Sequence, residues 1–207
     1  MNTEILESLT GAQRAAVTHI DGPMLVVAGP GSGKTRVVTH RVANLIEKGI
    51  DPKSILALTF TNKAADEMRR RLSKLTSAEG LWIGTFHRFC AQQLRKYADH
   101  VGLESNYTIY DAGDSKRALK RAIESTDLDS SFIPFEGLVH AISQTKSRLI
   151  TADQYRPAPG SDIGPILQKV YPAYQSQLLR ANAVDFDDLL LHVAVMLRES
   201  SELRAML

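Results

Sequence analysis

Met24-Leu-Val-Val-Ala-Gly-Pro-Gly-Ser-Gly-Lys-Thr35 joins an apolar run to a glycine-rich loop and a helix start. Met24 to Ala28 is a brief apolar run rich in β-branched residues, the pattern of a short buried strand. Gly29, Gly31 and Gly33 follow at once, and glycine tolerates the turns that point successive N–H groups into one concavity. Thr35 to Lys48 then reads as helix, closed by Gly49. Strand, glycine loop and helix in this order make a cradle for phosphate. The loop amides and the positive helix N-terminus face the anion, Lys34 reaches the terminal phosphates and Thr35 can ligate magnesium. The residues Ala28, Gly29, Pro30, Gly31, Ser32, Gly33, Lys34 and Thr35 fit the phosphate-loop pattern except at Ala28, where the general pattern has glycine. The competing explanation is a plain glycine turn with Lys34 facing solvent. A buried strand directly before the loop favours a nucleotide site, with ATP or GTP and Mg2+ as its ligands and Lys34 and Thr35 as its catalytic residues.

The same grammar continues on both sides. Thr10-x-x-Gln13 has capping-box spacing, so a short helix starts there and runs to about His19. Ile55 to Phe60 repeats the buried-strand pattern, and Thr61 can cap a helix from Asn62 to about Leu75 whose apolar face is Ala65, Met68, Leu72 and Leu75. Leu81 to Thr85 is a third strand-like run, followed by helical spacing from Phe86 to His100. Alternating strands and helices predict an α/β fold with a parallel sheet between helical layers. After Gly102 the chain turns helical: Asp111–Ser125, Phe135–Arg148, Thr151–Tyr155, Ile163–Asn182 and Asp185–Glu199, with only Tyr107–Tyr110 strand-like.

Composition bounds the partners. The 207 residues carry 43% hydrophobic and 23% charged side chains, as soluble globular chains do. Lys plus Arg total 25 against 23 Asp plus Glu, so a net charge of +2 excludes a highly basic tail protein and leaves room only for a local nucleic-acid patch. The single cysteine, Cys90, cannot close an intramolecular disulfide. No signal-peptide pattern and no apolar run near 20 residues occurs, so the expected setting is cytoplasmic, without a membrane.

Gln13, the loop through Thr35, Arg36, the run Leu58-Thr-Phe-Thr-Asn-Lys-Ala-Ala65 and Gly84-Thr-Phe-His87 together resemble superfamily 1 DNA helicases of the UvrD/Rep/PcrA group in order and spacing. Asp185-Phe-Asp-Asp-Leu-Leu190 resembles a further segment, so the likeness covers the chain from Leu9 onward. Ala28 is usual in this group, and Pro30 stands where Ala is common. The resemblance implies a P-loop, RecA-like motor lobe over 1–87, an α-helical accessory insertion over 88–184 and a return to the motor lobe over 185–207. It also implies an enzyme that couples ATP hydrolysis to 3′ to 5′ movement on single-stranded DNA and to duplex separation. Its partners would be single-stranded DNA, single-strand/duplex junctions and proteins of repair or replication.

Residue by residue, Gln13 matches a glutamine that reads the adenine edge, while locally it is equally the third residue of a capping box. Arg36 matches a position against the base, or is simply an exposed arginine. Phe60, Thr61, Asn62, Thr85, Phe86 and His87 match segments that touch single-stranded DNA, at the strand ends where ligands of α/β sheets sit. Without the resemblance, Phe60 reads as core. Lys63, Arg69, Arg70, Arg71 and Lys74 form one basic helix, better read as a solvated face than as a DNA-channel wall. Lys116, Arg117, Lys120, Arg121, Lys146 and Arg148 are a further basic set, either a DNA-contacting surface or exterior charge.

Hydrolysis also needs a carboxylate pair, normally after an apolar strand, and a positive group to offset developing charge. The densest acidic cluster, Asp185-Phe-Asp-Asp188, follows only Ala183 and Val184 and continues as helix, which fits a structural helix better. In the resembled group the acidic motif comes after the point where this chain stops. An N-terminal fragment, nearly inert as an ATPase, is therefore expected. The competing classes are a small-molecule kinase, a GTPase and a non-catalytic nucleic-acid-binding module. Asn62-Lys63-Ala64-Ala65 misses the aspartate that guanine recognition needs, which argues against the GTPase.

Overall fold

In the computed structural model, which describes residues 3–129 and 133–206, the chain divides into two units, 1–86 and 87–207. The outer limits expected for the motor-lobe segments, residues 1 and 207, lie outside the described residues.

The first unit contains α1 (Thr3–Glu7), α2 (Gly11–Thr18), α3 (Lys34–Glu47), β1 (Leu56–Thr59), α4 (Asn62–Leu72) and β2 (Trp82–Thr85). The capping box of α2 is formed. Thr10 Oγ1 accepts from the Gln13 N–H and Gln13 Oε1 accepts from the Thr10 N–H, so two otherwise orphaned donors are satisfied. β1 and β2 pair in parallel, Ala57 opposite Ile83 and Thr59 opposite Thr85. A parallel pair needs a crossover, and α4 supplies it, burying Ala65, Met68 and Leu72 against Val42, Ala43, Ala57 and Ile83. The Trp82 indole packs close over Gly84, where a Cβ would meet it at 2.6 Å.

The second unit takes in α5 (Phe86–Lys96) from its second residue, then β3 (Thr108–Ile109), α6 (Ala112–Glu124), α7 (Phe135–Ser147), α8 (Gly164–Arg180), β4 (Ala183–Val184), α9 (Phe186–Glu199) and α10 (Ser201–Met206). Leu119, Leu138, Leu167, Tyr171 and Tyr174 make one buried cluster; Cys90, Leu94, Tyr107, Leu189 and Val193 make another. β3 and β4 form a two-residue parallel pair.

Four expectations are corrected. Met24–Ala28 is not a strand. It pairs with none among the described residues, and Leu25 and Val27 are each 88% exposed, because a strand is defined by neighbours that take up its N–H and C=O groups. The extended parallel sheet is accordingly reduced, among the described residues, to the pairs β1–β2 and β3–β4. Thr151–Tyr155 is a single turn in which the Gln154 and Tyr155 amides both donate to the Thr151 carbonyl. Pro157 keeps Arg156 out of the helical region, so this turn does not propagate. Lys146 is wholly buried and belongs to no DNA-contacting surface.

Candidate functional site

The phosphate-loop segment takes its shape from glycine. Gly31 and Gly33 have φ of 75° and 83°, the left-handed region that a Cβ disfavours, and Gly33 is the cap residue from which α3 starts. Lys34 therefore opens the helix, with Thr35 in its exposed first turn. Lys34 Nζ donates to the carbonyls of Ala28 at 3.0 Å and Gly29 at 2.7 Å. Ser32 Oγ donates to the Gly29 carbonyl at 2.7 Å. Gln13 reaches the loop from α2, its Nε2 donating to the Ser32 carbonyl at 3.0 Å. Arg36 is half-buried on the first turn of α3.

Beside the loop lies an open cleft of about 1040 Å³, lined by Lys34, Thr35 and Val38 from α3, by Thr59, Phe60 and Thr61 from the end of β1, and by Lys63 and Arg70 from α4. Thr59 Oγ1 is fixed between the carbonyls of Thr61 and Gly84, at 3.0 and 3.3 Å. Thr61 Oγ1 caps α4 by accepting from the Ala64 N–H at 3.2 Å. Asn62, the first residue of α4, is exposed. Phe60 is 90% exposed, which rules out the core-packing alternative, and its ring centroid stands 5.6 Å from that of Phe86. Thr85 is buried at the end of β2. His87 belongs to the second unit, where its ring meets Phe186 at 5.7 Å.

The basic helix α4 is partly neutralised from within, its two carboxylates facing four cations. Asp66 pairs with Arg69, and Glu67 with both Arg70 and Arg71 at 2.6 Å. Hydrogen bonds from Arg70 and Arg71 hold the Glu67 carboxyl below the usual carboxylate range. Arg69 also donates to the Ile83 carbonyl at 2.6 Å, tying α4 to β2. These contacts agree with a solvated, self-paired face.

The acidic cluster is structural. The Lys146 ammonium, on α7, lies 2.7 Å from Asp185 and 2.7 Å from Asp188. Tyr174 Oη donates to Asp185 Oδ2 at 2.9 Å, and Asp185 and Asp188 form a reciprocal capping box at the start of α9. Burial works to raise the Asp188 carboxyl, but Lys146, His192 and the Asp185 amide outweigh it and hold that carboxyl below its ordinary range. Sequence reading missed this network. Its one available signal was a lysine on the predicted helix Phe135–Arg148 together with two aspartates at cap spacing. Burial pushes the Cys90 thiol up to about 11, which leaves it an inert packing residue.

A family model described as the UvrD/REP helicase N-terminal domain matches residues 9–207. An ATP-dependent DNA helicase PcrA of Staphylococcus epidermidis is 41% identical over 190 residues, 90% of this chain and 26% of the relative. Its counterpart from Staphylococcus aureus is 42% identical over the same share of both chains. The chain thus spans 26% of the length of these relatives. No helix among the described residues is long and apolar enough to cross a membrane.

Proposed function

The chain belongs to the UvrD/REP helicase N-terminal domain family, and from that premise we propose that it forms the ATP-binding part of a DNA helicase motor. Residues 1–87 supply the first part of a RecA-like lobe, 88–184 a helical accessory insertion and 185–207 the return to the lobe. The observation that carries this reading is the single cleft in which Lys34 and Thr35 stand with Thr59, Phe60 and Thr61. One wall suits a triphosphate and the other a nucleic-acid strand.

The residues fit ATP and Mg2+. The loop glycines Gly29 and Gly31 leave open space where a Cβ would sit, Lys34 brings a cation to the loop, and the Thr35 hydroxyl is exposed on the first turn of α3. The Thr35 hydroxyl would help hold magnesium, which would offset phosphate charge when bound. The chain's own part is to hold the triphosphate with the loop amides, the α3 N-terminus and Lys34, while Gln13 and Arg36 face the base. Phe60, Phe86 and His87 offer rings to unstacked bases, and Thr61, Asn62 and Thr85 serve the backbone, a mode that tolerates any sequence. Asp185 and Asp188 are committed to Lys146 and so do not serve as the carboxylate pair for hydrolysis, in keeping with a chain that by itself is nearly inert as an ATPase.

As in the resembled group, the parent enzyme moves 3′ to 5′ on single-stranded DNA, opens duplex at single-strand junctions and serves repair or replication in the cytoplasm. The test is a calorimetric titration with MgATP. Lys34→Ala should weaken or abolish binding, and unaltered affinity in that variant would remove the assignment.

A further inference from the structure

We propose that Gln13 is a positioning residue for the phosphate loop, acting through the Ser32 carbonyl and not only on a nucleotide base. The proposal rests on the reading of the loop as an ATP site. Both ends of the Gln13 amide are engaged by the protein: Oε1 accepts from the Thr10 N–H at 3.1 Å, and Nε2 donates to the Ser32 carbonyl at 3.0 Å. A second contact has an independent origin. A Cβ on Gly33 would lie 3.0 Å from Gln13 Nε2, so the amide is seated against the residue that caps α3. Gln13 thus wedges between the first turn of one helix and the last turn of the loop that starts another.

The consequence follows from peptide geometry. The Ser32 carbonyl and the Gly33 N–H share one planar trans peptide, in which they point in opposite directions. Tying the carbonyl toward α2 aims the Gly33 N–H away from α2, and it does so immediately before Lys34. A phosphate cradle depends on amides aimed in advance, because a donor that needs no reorientation binds without paying ordering entropy. The amide keeps a second hydrogen on Nε2 and a second lone pair on Oε1. Base contact and loop tethering are therefore compatible on one side chain.

The two roles separate with a ligand that has no base. Magnesium tripolyphosphate and MgATP are titrated into the full-length protein carrying this chain, as parent, Gln13→Met and Thr10→Ala. Gln13→Met keeps the side-chain length and loses the tether; Thr10→Ala weakens the α2 cap and keeps the tether. The expected result is a loss of about three- to tenfold for both ligands in Gln13→Met, the span of one net hydrogen bond. Thr10→Ala should hold tripolyphosphate affinity within about twofold of the parent, since only a cap is lost. Hydrogen exchange of the α2 amides checks that α2 stays folded in each variant. If Gln13→Met binds tripolyphosphate like the parent and loses only ATP, the residue acts on the base and the tether is refuted. An equal loss in Thr10→Ala also refutes it, because the helix cap then explains the effect. A parent that binds neither ligand overturns the ATP-site reading and the tether with it.

Discussion

Lys146 Nζ stands 2.7 Å from Asp188 Oδ1 with both side chains almost wholly withdrawn from solvent. Asp185 completes the triad at 2.7 Å, so α7 and the start of α9 are joined through charge beside the apolar cluster of Leu138, Tyr171 and Tyr174. Removing the cation leaves two carboxylates facing each other in the interior. Lys146→Met should lower unfolding free energy by about 3–5 kcal/mol, the usual consequence of breaking a buried pair. Adding Asp185→Asn and Asp188→Asn should restore most of that loss, since Asn still caps a helix. Urea unfolding of the three proteins checks both halves. A loss below about 1 kcal/mol, as at an exposed pair, would contradict the structural role.

The same network sets the acid limit of stability. Burial holds the His192 imidazole below its ordinary value, with Asp188, 3.9 Å away, opposing. The unfolded chain therefore binds more protons than the folded one as pH falls from about 6.5, and stability drops across that window. Asp188 behaves in the complementary range. Its depressed carboxyl contributes stability above the ordinary carboxylate pKa near 3.8, and that contribution is lost as pH falls through the lower folded value. His192→Gln should flatten the thermal midpoint between roughly pH 5 and 6.5 while keeping the steeper acid limb. An unchanged slope in that range would exclude His192 as its source.

Phe60 separates binding from stability. With 90% of its surface in water it supports little core, so Phe60→Ala should change unfolding free energy by no more than about 0.5 kcal/mol. Single-stranded DNA affinity should fall by about 1–3 kcal/mol if a base stacks on it. Fluorescence anisotropy with a labelled oligonucleotide measures the second quantity. Intact DNA affinity in a folded variant would remove Phe60 from the DNA surface.

The basic residues of α4 divide in the same way. Arg71 faces Glu67 and is not part of the cleft lining, whereas Lys63 lines the cleft with Lys34 and Phe60. Lys63→Ala should reduce the slope of log affinity against log salt for single-stranded DNA by about 0.7, the share of one phosphate contact. Arg71→Ala should leave the slope unchanged. The opposite ranking would make the outer face of α4 the DNA wall.

Much of this was legible from local chemistry. Thr10 and Thr61 announce helix starts because a cap is a contact over three residues, and both cap as spaced. Gly31 and Gly33 announce positive φ for the same local reason. Two kinds of feature were not legible. Met24–Ala28 has the composition of a strand, but pairing is decided by distant residues, and apolar periodicity says nothing of whether a neighbour is there. Lys146 looked like surface charge because its partners lie 39 and 42 positions away, and no local pattern links a lysine to carboxylates at that range. Phe60 sits between. Its identity suggested core, and only its place at a strand end, followed by the Thr61 cap, leaves it in solvent.

If the loop from Gly29 to Thr35 holds the triphosphate of ATP in a motor that works on DNA, turnover depends on Lys34 and responds to DNA. The most direct measurement is steady-state ATP hydrolysis by the full-length protein, with and without single-stranded DNA, in the parent and in Lys34→Ala. Hydrolysis should rise on adding DNA and fall by about 100-fold or more in the variant, as when a group that stabilises developing charge is removed. Hydrolysis indifferent to DNA, or preserved in Lys34→Ala, would contradict it.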